Sequence, residues 1–308
     1  MRFESFSFAP EILRAISECG YQKMTPIQQQ AIPAVRRGQD VLASAQTGTG
    51  KTAAFSLPIL QKMLDNPSAT QRSNTRALIL TPTRELASQI AYNINDYAKY
   101  LEVNVVTIFG GVKMDSQATK LKRGADIIIA TPGRLLEHIV ACNLSLSNVD
   151  FLVLDEADRM LDMGFSADIQ KILQAVNSKR QNLMFSATFS APVKKLASEM
   201  MVKPNVITAD KQNTTADTVS QVIYPVEQRR KRELLSELIG KKNWQQVLVF
   251  TATRDAADKL EKELNLDGIP TAVVHGEKAQ GSRRRALREF KEGKMRVLVA
   301  TEVAARGL

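Results

Sequence analysis

Short apolar runs alternate along this chain with longer segments of helical periodicity. Runs rich in Val, Ile, Leu and Ala fall near 40–44, 76–80, 105–109, 126–130, 150–154 and 181–185. A run that is apolar at every position, not at alternate ones, predicts a strand covered on both faces. Such strands separated by amphipathic helices predict β-α units feeding a parallel sheet, so the expected fold class is α/β. The polar segment from Asp65 to Thr75 reads as a surface loop. Periodicity fades from Asp210 to Asp217, where Lys, Gln, Asn and Thr dominate, and this stretch reads as an interdomain linker. The alternation then resumes, with strands expected near 220–225, 246–250, 270–274 and 295–300 and helices near 228–239, 253–264 and 281–291. The expected domains are therefore 1–209 and 218–308.

Composition narrows the function classes. Lys and Arg exceed Asp and Glu by 10, with net charge +4 up to residue 210 and +6 beyond it. A polyanionic partner fits this excess, and so does a soluble protein kept from self-association by charge. The basic runs Arg229–Arg232 and Arg283–Arg285 do not decide the matter, because successive residues on a helix point in different directions and most are expected to be solvated. Cys19 and Cys142 form no CxxC pair and read as buried small hydrophobes in a reducing compartment. No secretory signal or membrane-length apolar stretch is seen, so a cytoplasmic location and no membrane partner are expected. His138 and His275 lack metal-ligand spacing, and Trp244 is solitary. With aromatics at 6%, any nucleic acid should be held by phosphate and ribose, largely independent of base sequence.

The chemistry begins at Ala45-Gln46-Thr47-Gly48-Thr49-Gly50-Lys51-Thr52, after one expected strand and before a helix starting near Lys51. This is a phosphate-binding loop, although Ala45 stands where the general pattern has Gly. Glycines let backbone N–H groups approach phosphate oxygens, Lys51 reaches the outer phosphates, and the Thr52 hydroxyl suits magnesium. Asp155-Glu156-Ala157-Asp158 follows the apolar run ending at Leu154. Asp155 is placed to hold magnesium, partly through water, and Glu156 to accept a proton from the water attacking the γ-phosphate. The competing reading of the acidic run is the first turn of a helix, where the dipole favours carboxylates. The catalytic candidates are Lys51, Asp155 and Glu156. ATP and magnesium are the expected ligands.

Together these motifs resemble the DEAD-box ATP-dependent RNA helicases over essentially the whole chain, with a likeness to the bacterial RhlE-type subgroup. The resemblance implies two RecA-like parallel-sheet domains, the second truncated. It identifies a Q motif from Gly20 to Gln28, with Gln28 reading the adenine edge and Phe3 packing on the base; Met24 stands where the family usually has Pro. Taken alone, Thr25-Pro26 is an ordinary helix start. It further implies RNA-backbone contacts by Pro82, Arg84, Gly110, Gly111, Thr131 and Arg134, and by Thr251, Thr253, Arg283 and Thr301. Ser186 and Thr188 would couple ATP binding to closure on RNA through hydrogen bonds to the acidic motif. In isolation, each of these short motifs is a common turn or cap. Their placement after successive expected strands puts six of them on one sheet edge, where ligands of open α/β sheets bind.

Two departures qualify the likeness. Glu302 stands where the family has an Asp that contacts the ATP ribose, so weakened contact is expected. The family's arginine-rich HRIGRxGR motif is absent from the chain. Finger arginines are worth about 10^3–10^5 in phosphoryl-transfer rate. An incompletely covered second domain is also expected. The leading expectation is an RNA-dependent ATPase that locally unwinds RNA duplexes. Its alternative is an ATP-gated RNA-binding protein with little turnover. A DNA helicase or kinase with a phosphate loop does not account for the Q motif together with the strand-end motifs. RNA is the expected partner of a monomer, with proteins of ribosome assembly or RNA decay as candidate partners.

Overall fold

In the computed structural model, which describes residues 1–45, 48–67, 75–208 and 220–301, the chain divides into two units, Met1–Thr214 and Thr215–Leu308. The expected linker at 210–217 and the candidate site residues Thr47 and Glu302 lie outside the described residues. The first unit runs α1 (Pro10–Glu18), α2 (Pro26–Arg36), β1 (Val41–Ser44), α3 (Lys51–Asp65), β2 (Ala77–Leu80) and α4 (Arg84–Tyr97). It continues through β3 (Val105–Ile108), α5 (Met114–Lys122), β4 (Ile127–Ala130), α6 (Pro132–Val140) and β5 (Phe151–Asp155). The last elements are α7 (Ala157–Asp162), α8 (Ser166–Ala175), β6 (Gln181–Ser186), α9 (Ala191–Met200) and β7 (Asn205–Thr208).

The strands form one sheet in the order β3-β4-β2-β5-β6-β1-β7, with every pairing parallel. Successive side chains point to opposite faces, so each apolar run feeds two cores. Val41, Ala43, Ala77, Ile79, Ile127, Ile129, Val153 and Phe185 join one core, closed by residues of α2, α3 and α4 such as Ile32, Phe55 and Ile90. Leu42, Leu78, Leu80, Ile128, Leu152 and Met184 join the other, closed by Leu135, Ile169, Val193 and their neighbours on α6, α8 and α9. Burial on both faces is why these strands are apolar throughout. Phe55 and Phe185 meet at 5.4 Å between ring centroids, and truncating either to Ala should cost about 3–5 kcal/mol.

The pattern missed β7, which has only two apolar residues and half-exposes its outer face at the sheet margin. The strand is recruited by its neighbour. Asn205 N donates to Asp40 O at 2.7 Å, and the Asp40 carboxylate accepts from Asn182 N at 2.7 Å and Val202 N at 3.0 Å.

The second unit contains α10 (Lys231–Lys241), β8 (Val247–Thr251), α11 (Arg254–Leu266), β9 (Thr271–Val274), α12 (Gln280–Lys291) and β10 (Val297–Thr301). Its parallel sheet is ordered β8-β10-β9 among the described residues. Val297 and Val299 face a core with Ile239 and Leu264, whereas Leu298 packs with Val274 and Ala286. Leu248 and Phe250 on β8 are exposed. The strand expected at 220–225 is not one: Val222, Ile223 and Tyr224 are exposed and irregular, because a short β-prone run makes a strand only where a neighbour offers backbone partners. Cys142 is exposed, not buried, and follows the end of α6 in a left-handed conformation, φ +52°. No helix among the described residues is long and apolar enough to cross a membrane.

Candidate active site

Because all seven strands of the first sheet run the same way, their carboxyl ends share one edge. Strand order then sorts the motifs on that edge. β6 lies between β1 and β5, so the phosphate loop, the Ser186 turn and the acidic run stand side by side. The ends of β2, β4 and β3 make the other half, carrying Pro82 and Arg84, Thr131 and Arg134, and Gly110 and Gly111.

At the first half, Gly48 and Gly50 adopt φ of +84° and +91°, a region that side chains disfavour. α3 starts immediately after, at Lys51, and its first N–H groups point at the loop. The Gln28 side chain is buried and spans two motifs: Oε1 accepts from Thr25 N at 2.9 Å and Nε2 donates to Gly50 O at 3.1 Å. A Cβ on Gly50 would fall 2.4 Å from Gln28 Nε2. Ala45 is buried and its N–H donates to Ser186 O at 3.1 Å, tying the loop entrance to β6. Thr49 and Thr52 are half-buried, and the Thr52 carbonyl accepts from Ser56 Oγ at 2.6 Å. Phe3 is buried and stacks on Tyr21, centroids 6.4 Å apart.

Lys51 Nζ lies 3.8 Å from Asp155 Oδ1, with both side chains buried. The Lys51 ammonium has no hydrogen-bond partner among the described residues. Burial pushes the Asp155 carboxyl above its usual range, Lys51 pulls it back, and the Glu156 charge raises it again. A buried ammonium lacking acceptors at a helix N-terminus beside a buried carboxylate fits a phosphate chain with a divalent cation, which would satisfy both.

Glu156 is held in a left-handed conformation, φ +56°, and its buried carboxylate pairs with Arg159 at 2.7 Å. Asp158 Oδ2 accepts from Thr188 N at 3.0 Å and Thr188 Oγ1 at 3.1 Å. Ser186 Oγ donates to Thr188 O at 2.7 Å, so Ser186 shapes this turn and Ser190 occupies the cap position of α9. Of the expected hydrogen bonds to the acidic run, Thr188 makes its own to Asp158 and Ser186 does not, while Arg159 is a residue that sequence reasoning passed over. The spacing of Arg159, three residues after Glu156 on a helix, was a usable signal.

At the second half, Arg84 Nη1 donates to Gly110 O at 3.1 Å and Arg134 Nη1 to Val112 O at 2.8 Å. A Cβ on Gly111 would meet Arg84 Nη1 at 1.9 Å, so glycine admits that arginine. Gln117, also unsuspected, closes the loop by accepting from Phe109 N at 3.1 Å and donating to Phe109 O at 3.0 Å. Pro82 and Thr131 are buried, and Thr131 N donates to Ile108 O at 3.0 Å. Arg84, Gly110, Gly111 and Arg134 therefore come together around one loop, with Pro82 and Thr131 just past the ends of β2 and β4. Thr83, beside them, caps α4 by accepting from Leu86 N at 3.3 Å.

The second unit repeats the turn after β6. Thr251 Oγ1 donates to Thr253 O at 3.1 Å, and Thr253 Oγ1 caps α11 by accepting from Ala256 N at 3.2 Å. Thr301 ends β10 in register with Thr251, and Arg283 is buried on α12. His275 Nε2 lies 3.1 Å from Asp258 Oδ1, which also pairs with Lys278 at 2.9 Å.

The family model described as DEAD/DEAH box helicase matches residues 25–196, and that described as Helicase conserved C-terminal domain matches 230–308. The chain is 44% identical to the ATP-dependent RNA helicase RhlB of Pseudomonas aeruginosa, a match covering 100% of this chain and 79% of that protein. It is 40% identical to the DEAD-box ATP-dependent RNA helicase CshA of Bacillus subtilis, covering 99% of this chain and 61% of that protein. Among solved structures, S. cerevisiae Dbp5 bound to RNA and ADP BeF3 superposes with a TM-score of 0.87 at 29% identity, covering 100% of this chain and 77% of that one. A DEAD box protein from Methanococcus jannaschii gives a TM-score of 0.63 at 35% identity, covering 100% and 82%.

Proposed function

Because the chain belongs to the DEAD/DEAH box helicase family, we propose that it is an ATP-dependent RNA helicase that binds RNA and locally opens duplexes at the cost of ATP hydrolysis. The observation that carries the reading is the buried Lys51–Asp155 pair beside Glu156, at the mouth of a phosphate loop on the carboxyl edge of a parallel sheet. Lys51 and the first N–H groups of α3 hold the outer phosphates, and Gln28 and Phe3 serve the adenine. Thr52 and Asp155 hold magnesium, which supplies charge neutralisation on the phosphates when bound. Glu156 takes the proton of the attacking water, and Arg159 keeps its carboxylate in place. The hydrogen bonds of Thr188 to Asp158 are the path by which the acidic run feels the β6 turn.

RNA lies along the second half of the edge, with Arg84 and Arg134 at the glycine loop, and on Thr251, Thr253, Arg283 and Thr301 of the second unit. Contact is to the backbone, in keeping with the scarcity of aromatic residues. The setting that goes with this reading is cytoplasmic, with the chain acting as a monomer. The finer likeness to the RhlE-type subgroup rests on sequence alone.

RNA-stimulated phosphate release by this chain, with Glu156→Gln beside it, tests the proposal. Loss of the general base should lower the RNA-dependent rate by about 10^2–10^4-fold. Equal rates for the two proteins would refute the helicase reading and favour ATP-gated RNA binding without turnover.

A further inference from the structure

Two basic runs mark the second unit, and the fold treats them differently. Arg229 pairs with Glu227 at 2.7 Å, Arg230 with Glu233 at 3.2 Å and Arg232 with Asp267 at 2.8 Å. Three of the four cations of the first run are thereby paired within the unit, and Lys231 has no ion pair among the described residues. The second continues along α12, where Arg284, Arg288 and Lys291 follow one another at four and three residues. At about 100° per residue they occupy roughly 60° of the helix circumference, with Arg285 on the flank.

Carboxylates do little for this face. Glu289, the one acid of α12, is rotated about 100° or more from all three cations. Glu292 lies 3.9 Å from Arg288 but is also held by Lys294 at 2.7 Å. Arg284, Arg285 and Lys291 have no ion-pair partner among the described residues. Like charges at these spacings disfavour the helix unless something outside it compensates them. Gly281 heads the same face, with nothing within 4 Å of where a Cβ would stand, and the groove there measures about 760 Å³. The face offers no exposed aromatic or large aliphatic anchor of the kind protein interfaces use. A counter-charge from outside the chain is what it lacks.

We propose that this face of α12 is an RNA-phosphate contact surface additional to the strand-end motifs, binding the backbone through Arg284, Arg288 and Lys291. The proposal rests on the RNA-binding reading above. Buried Arg283 on the same helix belongs to the motif set; these three exposed residues do not.

The test is fluorescence anisotropy of a labelled 20-nucleotide oligo-uridine RNA, titrated with this chain at several KCl concentrations. Each phosphate contact on single-stranded RNA contributes about 0.7 to the slope of log K against log salt. The variant Arg284→Gln/Arg288→Gln/Lys291→Gln should lose about 2 from that slope, and about 100-fold in affinity at 0.1 M salt. Its RNA-stimulated kcat at saturating RNA should be unchanged. A control, Arg229→Gln/Arg230→Gln/Lys241→Gln, removes the same charge from paired, exposed positions and should keep most of the slope. An unchanged slope in the first variant, or an equal loss in the control, would overturn the surface alone. Wild-type chain that bound no RNA at any salt would overturn the functional reading as well.

Discussion

Replacing Lys51 by Met should destabilise the free protein, and by an amount that grows with pH. The ammonium lies 3.8 Å from Asp155 Oδ1 in a buried setting. At an effective dielectric of about 20 the attraction is roughly 4 kcal/mol. Removing one partner of a buried pair leaves the other uncompensated and costs about 3–5 kcal/mol. The cost falls on the ionised carboxylate only. Burial already holds the Asp155 carboxyl above its usual range, and loss of Lys51 removes the largest influence pulling it down. A carboxyl raised in the folded state favours folding below its unfolded pKa of about 3.9, and that advantage is lost as pH rises through the folded value. Lys51→Met should therefore lie near wild type below about pH 4, where the carboxyl is protonated, and about 3–5 kcal/mol below it at about pH 8. Adding Asp155→Asn should restore wild-type stability at both, or exceed it by about 1–4 kcal/mol. Urea unfolding should be followed by circular dichroism and by hydrogen exchange of β1 and β5, because Trp244, the only tryptophan, is in the second unit. A Lys51→Met cost that is the same at both pH values, or a double variant no better than the single, would refute the reasoning.

Gly50→Ala forces a side chain into φ +91° and against Gln28 Nε2, so ATP affinity should fall by about tenfold or more, the equivalent of one lost hydrogen bond; calorimetric titration with magnesium-ATP checks this. Asp40→Ala removes the acceptor for Asn182 N, Asn182 Nδ2 and Val202 N, and should cost about 2–4 kcal/mol in urea unfolding, with faster hydrogen exchange in β7 than in β5. His138 is fully buried beside Asn143, and burial pushes its pKa down. The native state then holds fewer protons than the unfolded one, so stability present above about pH 6.5 is lost on acidification. His138→Gln should flatten the change in urea midpoint between about pH 5.5 and 7.5, and an unaltered slope would contradict this assignment.

Much of the site was legible because its chemistry is written in local spacing. A strand, a glycine loop and a helix beginning at Lys51 are consecutive, and so are Leu154, Asp155 and Glu156. Helix starts at Thr25-Pro26 and Thr83 follow from capping by neighbouring residues. Contacts between distant segments were not legible. Nothing near Gly50 announces Gln28 as its partner, and Asp40 meets Asn182 across 142 residues.

Periodicity and motif spacing determined an α/β protein with two sheet-bearing stretches, a phosphate loop and a row of strand-end motifs, because backbone propensity and side-chain alternation act within a few residues. Tertiary structure alone decided strand order, which sorts those motifs into a nucleotide half at β1-β6-β5 and a second half at β2-β4-β3. It also made a strand of weakly apolar 205–208 and left the apolar run Val222-Ile223-Tyr224 irregular. Of two similar basic runs, it paired Arg229, Arg230 and Arg232 with acids, whereas in the other it buried Arg283 and left Arg284 and Arg285 facing outward. In each case the deciding quantity is whether a partner backbone or an opposite charge lies within reach, and that distance exists only once the chain has folded.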